Sequence, residues 1–238
     1  MALPASGSVA AQELVLTTEP LPPYNIVSET GREISGLVGD KIVEMMRRAA
    51  ISYAVEPSSW QRAFKLAQSR PDTCVFGTAR TPEREARFQW VGPLASTDWT
   101  IFTRRDNRLT SASLEELKPY VIGGYRADIL ADYLDQHGYR VAHSGADEIS
   151  LRNMLLGRID YWASNRAAAT ALALKLGVQD RLRALLTFGH SSLYLACHPG
   201  VPEDMVARLQ QALKAMENDG TVKKIDTQYQ RQLDSPLR

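Results

Sequence analysis

Apolar residues recur along this chain at two alternating periods, and the alternation predicts its elements. Leu14, Val15 and Leu16 form a short apolar run that predicts a strand. Thr17, Thr18 and Glu19 lead from it into a proline-rich turn at 20–24. Past Gly36, Val38, Ile42, Met45, Met46 and Ala49 fall on one face at helical spacing. Residues 51–56 alternate as a strand does. Ser59 then stands where a helix takes its cap, and Trp60, Ala63, Phe64 and Ala67 share one face of that helix. Cys74, Val75 and Phe76 make the next strand, closed by Gly77. After a break come strands at 99–103 and 121–124 and a helix that turns Leu130, Tyr133 and Leu134 inward. A strand at 140–143, a helix at 151–156 and strands at 161–163 and 193–197 continue the pattern. Residues 204–238 read as helical, with Val206, Leu209, Leu213 and Met216 as the stripe and Gly220 as a C-terminal stop. Strands alternating with helices predict parallel α/β sheet. Two such units succeed one another without a Pro/Gly/Ser-rich tether. That predicts two lobes joined by extended strands, with a cleft between them.

Composition changes this picture little. With 238 residues, 44% apolar and 23% charged, the chain can bury a sizeable core without metals or many disulfides. Its 28 basic and 27 acidic side chains leave a formal charge of +1, which lacks the basic surplus of a nucleic-acid binder. No run of 18 apolar residues reads as a membrane-spanning helix. Ser8, Val9, Ala10 and Ala11 resemble the small-residue cleavage region of a secretory signal peptide, and a flexible tail over 1–12 is the alternative. The four histidines lack metal-ligand spacing. Neither a G-x-S-x-G elbow nor a glycine-rich nucleotide signature is present. The expectation is therefore no catalytic set, no cofactor and no metal.

One segment is dense with chemistry: Gly77-Thr78-Ala79-Arg80-Thr81-Pro82-Glu83-Arg84. It comes just after a predicted strand, and open parallel sheets bind ligands beyond the carboxyl ends of their strands. Gly77 permits close backbone approach. Thr81 and Pro82 read as a helix cap and first turn, whose free N–H groups suit an anion, and Arg84 adds a planar fork for a carboxylate. The alternative is a surface arginine paired with Glu83 or Glu85.

The ordered set of motifs resembles the periplasmic solute-binding proteins of ABC importers, amino-acid-binding type (extracellular solute-binding proteins, family 3), over about 13–230. Thr18-Glu19 with Pro22-Pro23-Tyr24 resembles the first-strand motif, and residues 36–42, with Asp40 as the matching acid, the start of the first long helix. Thr81-Pro82-Glu83-Arg84 resembles the "T-x-x-R" signature. Phe88-Gln89-Trp90-Val91-Gly92-Pro93-Leu94 resembles the run entering the hinge, and Leu156-Gly157-Arg158-Ile159-Asp160 the second lobe's "L-x-x-G-x-x-D". Asp219-Gly220-Thr221 resembles the C-terminal helix junction. The resemblance implies the type II periplasmic binding protein fold, two Rossmann-like lobes joined by two hinge strands. Lobe 1 would be 13–95 with 193–238, and lobe 2 would be 96–192.

It also implies a site. The positions assigned to the ligand are Glu19, Tyr24, Trp60, Gly77, Thr78, Arg80, Arg84, Tyr125, Asp128 and Asn165. Arg84 would clamp a carboxylate. Trp60 would cover the ligand or belong to a helix core, and Asp128 would approach the ligand or only cap a helix. Asn165 falls where the family carries an ammonium-binding aspartate, and Arg80 where relatives often carry an apolar residue. These two departures imply a more anionic or less cationic ligand.

The function implied is a non-enzymatic periplasmic receptor, monomeric, without nucleic-acid partners. It would capture an amino acid or related carboxylate by hinge closure and deliver it to a membrane ABC permease. A cyclohexadienyl-dehydratase-like enzyme and a sensory module are the alternatives on the same scaffold. The family topology places Cys74 and Cys197 on neighbouring antiparallel strands, leaving open a disulfide or two buried thiols.

Overall fold

The computed structural model describes residues 13–108 and 113–233. The proposed leader or tail at 1–12 lies outside them. The described chain runs β1 (Leu14–Thr18), a small hairpin β2 (Ile26–Val27) and β3 (Ile34–Ser35), α1 (Gly36–Ala49), β4 (Tyr53–Pro57), α2 (Trp60–Ser69), β5 (Thr73–Ala79), α3 (Pro82–Glu85) and β6 (Gln89–Arg104). It continues through β7 (Val121–Tyr125), α4 (Ile129–Gln136), β8 (Arg140–Ser144), α5 (Asp147–Leu155), β9 (Tyr161–Asn165), α6 (Arg166–Lys175), β10 (Leu182–Cys197), α7 (Glu203–Asn218) and α8 (Thr221–Leu233).

The main sheet has the order β4-β1-β5-β10-β6-β9-β7-β8. β1 lies parallel to both β4 and β5, and β7 lies parallel to both β8 and β9. Between these two parallel trios stand β10 and β6, each 16 residues long and antiparallel to each other. This is the expected two-lobed arrangement, with two strands serving both units. Their register slips at three places, between Ala184 and Leu186, Thr187 and Gly189, and Leu193 and Leu195. Such bulges raise the local twist, which lets one sheet serve two differently oriented packing layers.

Each unit has its own core. In the first, the α1 stripe of Val38, Ile42, Met45 and Met46 packs with Leu14, Leu16 and Phe76 and with Leu209 and Met216 of α7. In the second, Phe102, Leu151, Met154, Trp162 and Leu182 form one cluster, and Ile101, Ile122, Leu134 and Tyr161 another. α8 is tied to the first unit by polar contacts. The Tyr229 hydroxyl donates to Asp40 and accepts from the Gly36 N–H, while buried Lys41 bonds the Leu94 carbonyl and Asp226. Asp40, singled out in the sequence, thus anchors the last helix.

The Cys74–Cys197 disulfide is formed. The two residues are directly opposed in the β5–β10 ladder, so that pairing register settles the choice between bridge and thiols. It spans 123 residues of chain. Removing the cross-link by Cys74→Ser with Cys197→Ser should destabilise the protein by about 3–5 kcal/mol, the loop-closure entropy returned to the unfolded chain. Denaturant melts measure the loss. Thiol titration of the unfolded, unreduced protein should find no free thiol.

Candidate ligand-binding site

The carboxyl ends of β1, β5, β7 and β9 face one another across the middle of the sheet, and a cavity of about 70 Å³ lies among them. β1 supplies Thr18 and leads into Glu19, and β5 supplies Gly77 and Ala79. The other wall is made by Tyr125 at the end of β7, by Asp128 and Asp147 at the starts of α4 and α5, and by Ser164 and Asn165 at the end of β9. The central strands add Thr97, Ser191 and Leu193.

Arg84 enters from α3. It is largely buried, and burial pushes its guanidinium below the usual arginine range. The guanidinium carbon lies 5.5 Å from the Trp60 ring centre and 4.9 Å from that of Phe64. One of its nitrogens donates to the Ala79 carbonyl at 3.3 Å. No carboxylate among the described residues forms an ion pair with it. Glu85 instead pairs with Arg80, and that pair lies outside the cavity, Arg80 over the rings of Trp90 and Tyr194. The sequence offered both arginines. The structure turns Arg84 inward and Arg80 outward, so a second guanidinium is not part of the cavity.

Three carboxylates share the site with that one cation. Glu19 accepts from the Tyr125 hydroxyl at 2.6 Å and from the Trp60 backbone N–H; burial still carries it up to about 7, with Asp147 and Asp128 adding repulsion. Asp147 accepts from Trp162 Nε1 at 2.9 Å and from Ser164 Oγ at 3.0 Å, and burial raises it to about 6. Asp128 caps α4 by accepting from the Leu130 N–H at 2.9 Å, and burial pushes it up as well. Asp128 thus caps α4 and also lines the cavity. Among the described residues no three His, Cys, Asp or Glu side chains converge as a metal ion requires.

Of the positions singled out in the sequence, Glu19, Trp60, Gly77, Arg84, Tyr125, Asp128 and Asn165 line this cavity. Trp60 also belongs to the α2 core, and its Nε1 donates to the Ala127 carbonyl at 2.8 Å, across to the β7–α4 turn. Tyr24 and Thr78 are buried behind the wall, Tyr24 bonding Asn165 and the Ser96 carbonyl, Thr78 bonding the Val75 carbonyl. Asn165 caps α6, its Oδ1 accepting from the N–H groups of Ala167 and Ala168 at 3.1 and 3.2 Å. Gly77 has φ +73°, and a Cβ there would meet the Asn25 amide at 2.2 Å.

Sequence reasoning missed Asp147, Ser164 and Asn25. Asp147 opens a helix whose apolar stripe is weak, and nothing in its spacing marks it. Asn25 sits in a turn with nothing in its spacing to mark it. Its chemistry is visible only where its side chain packs on Gly77.

A family model described as bacterial extracellular solute-binding proteins, family 3, matches residues 14–232. Among solved structures, the chain is similar to a histidine kinase sensor domain with similarity to periplasmic binding proteins (TM-score 0.84, 18% identity, 91% of this chain and 95% of that one). It is also similar to an ancestral arginine-binding protein bound to glutamine (TM-score 0.78, 21% identity, 91% and 97% covered). A third is the ancestral amino acid-binding protein AncCDT-1, a precursor of cyclohexadienyl dehydratase (TM-score 0.76, 19% identity, 91% and 94% covered). Identities this low speak for the two-lobed fold and not for a ligand. No curated protein matches the chain.

The raised carboxylates give the ligand-free protein a characteristic pH dependence. Glu19 binds its proton more tightly folded than unfolded. Its contribution to stability is therefore full below its ordinary 4.5 and is lost as pH rises through about 7. Asp147 acts the same way between 3.8 and about 6. The melting temperature of the empty protein should fall from pH 5 to pH 8, and Glu19→Gln should flatten that fall. Melts of both proteins across this range check it.

Proposed function

Since the chain belongs to the bacterial extracellular solute-binding proteins, family 3, we propose that it is a non-enzymatic receptor for an amino acid or a related small carboxylate. The ligand sits in the cavity between the lobes, and the receptor delivers it to a membrane ABC importer. We place lobe 1 at 13–95 with 193–238 and lobe 2 at 96–192, the protein being an exported, periplasmic monomer.

The observation that carries this reading is Arg84. A buried guanidinium without an ion pair carries a desolvation penalty that protein partners do not offset. An incoming carboxylate supplies the missing partner, and the planar fork sets its orientation. Hydroxyls of Thr97 and Ser191 and the backbone at Gly77 and Ala79 lie around the same space. The contacts of Glu19 with Tyr125 and of Trp60 with the Ala127 carbonyl link the β1–α2 side to the β7–α4 side. They would hold the lobes together over the ligand, the hinge closure typical of such receptors.

A second reading is an enzyme of the dehydratase type. It is favoured by Glu19, a buried carboxyl held to about 7 and thus protonated often enough to act as a general acid. Incubation with prephenate or arogenate separates the two, since only an enzyme forms product. A sensory role would share the binding chemistry and differ only in the step after capture.

Mass spectrometry of the small molecules released on denaturing freshly purified protein identifies the ligand. For an amino acid that binds, Arg84→Ala should lose about 2–5 kcal/mol of binding with the fold intact. Arg84→Lys should recover only part, because an ammonium lacks the fork. Unchanged affinity in a folded Arg84→Ala protein, read by calorimetry, would overturn the assignment.

A further inference from the structure

The cavity presents a charge problem that Arg84 does not solve. Asp147 is a buried carboxylate with two neutral donors, Trp162 Nε1 and Ser164 Oγ, and no cationic side chain pairs with it among the described residues. The charges that act on it inside the cavity are of its own sign. Asp128 at the start of α4 and Glu19 beyond β1 both repel it. Tyr125 of β7 is neutral, its phenol held above the usual range and donated to Glu19. The charged groups elsewhere around α5 are engaged away from the cavity. Glu148 pairs with Arg152 on the helix itself, His143 of β8 pairs with Asp135 of α4, and Arg104 of β6 bonds the Met154 carbonyl at the far end.

Asn165, which falls where the family carries an ammonium-binding aspartate, is already engaged within the protein. Its one acceptor atom already takes two helix N–H groups, and its side chain is further held by the Tyr24 hydroxyl. A separate acceptor waits on the opposite wall. Asn25 is 3% exposed and lines the cavity, and its Oδ1 has no hydrogen-bond partner. A buried carboxamide oxygen left unmet is rare in a native structure and points to a group supplied from outside.

We propose that Asp147, oriented by Trp162 and Ser164, receives a cationic group of the ligand, and that the cavity selects ligands carrying more positive than negative charge. This rests on the reading of the cavity as an amino-acid site and names its substrate class. Three carboxyl groups, Glu19, Asp128 and Asp147, face the single guanidinium of Arg84 in the cavity. That reverses the anionic preference implied by Asn165 and Arg80 in the sequence. The three carboxylates are too dispersed for a metal ion. They suit an extended organic cation, such as an ammonium or guanidinium at one end of a zwitterion whose carboxylate lies on Arg84. Burial raises Glu19 to about 7 and Asp147 to about 6 in the empty site, so an entering cation displaces the protons that they take up as pH falls through that range. Binding then weakens as pH falls, by up to about tenfold per unit for each proton displaced.

The test is calorimetry on the whole protein, stripped of ligand by unfolding and refolding, with L-arginine, L-lysine, L-glutamine and L-glutamate at pH 7.5 and pH 5.5. The expected order at pH 7.5 is the two basic amino acids first, glutamine next and glutamate last, with the basic pair weaker at pH 5.5. Asp147→Asn should weaken the tightest binder about thirtyfold or more and reduce its pH dependence. Repeating the wild-type titration at pH 6.5 in buffers of different ionisation enthalpy should show net proton release. This arm needs no variant and stands even where Asp147→Asn fails to fold. Glutamate binding tightest, proton uptake, or an Asp147→Asn protein within threefold of wild type at both pH values would overturn the proposal. Agmatine or cadaverine, which lack the carboxylate, separate it from the amino-acid reading. If they bind while no amino acid does, the cation site stands and that reading fails; if no cation binds, the proposal fails.

Discussion

The backbone ladder between β6 and β10 is the set of contacts that both parallel units share. Each unit alone is a three-stranded parallel sheet with helices, and each needs an antiparallel neighbour to cover one edge. β10 covers β5 with its last residues, and β6 covers β9 with its second half. The cavity arises from the same arrangement. Strands of the two units point their carboxyl ends toward each other only because they hang from opposite halves of one long pair. Thr97, Ser191 and Leu193 line the cavity because they lie where that pair passes from one unit to the other.

On this frame sits a site that folding alone would not favour. Arg84, Asp147 and Glu19 give up water and gain incomplete partners, and Gly77 is held at positive φ so that Asn25 can lie against it. The compensation comes from elsewhere in the molecule. The α1–α7 core is continuous and apolar, Lys41 has a carbonyl and a carboxylate as partners, and a disulfide fixes β5 to β10. Local rules broken in one place and obeyed around it are the pattern expected of a binding site.

Much of the frame was legible because its periods are clean. The α1 stripe, the short strands β5 and β7, and the helix stop at Gly220 all reflect local rules that the folded chain obeys, although β5 runs past Gly77 to Ala79. α6 was not legible, since Ala167, Ala168, Ala169, Thr170 and Ala173 are all buried and the helix has no polar face to set a period. The full length of β10 was hidden for a related reason: residues 182–192 are mostly half-buried, with a glycine and two register slips, so no alternation persists. In the site, motif spacing led to Arg84 and Glu19. It also put Arg80 in the site as a second cation, because the outward turn of Arg80 depends on its pairing with Glu85. Asp147 was beyond reach, since its meaning comes from Asn165 being occupied as a cap and from Trp162 lying beside it.

The sheet order also dictates when the chain can become a protein during its own synthesis. β7, β8 and β9 lie within residues 121–165, with their helices α4 and α5 between them, so that unit closes through short loops. The first unit cannot finish in the same way. β5 waits for a strand that emerges 123 residues later, and α1 waits for α7 and α8 beyond it. Contacts this distant in sequence form slowly, because loop closure precedes any gain from pairing. The earliest-made segment is thus the last to be completed, and the nascent chain stays open along β5 until nearly all of it has been made.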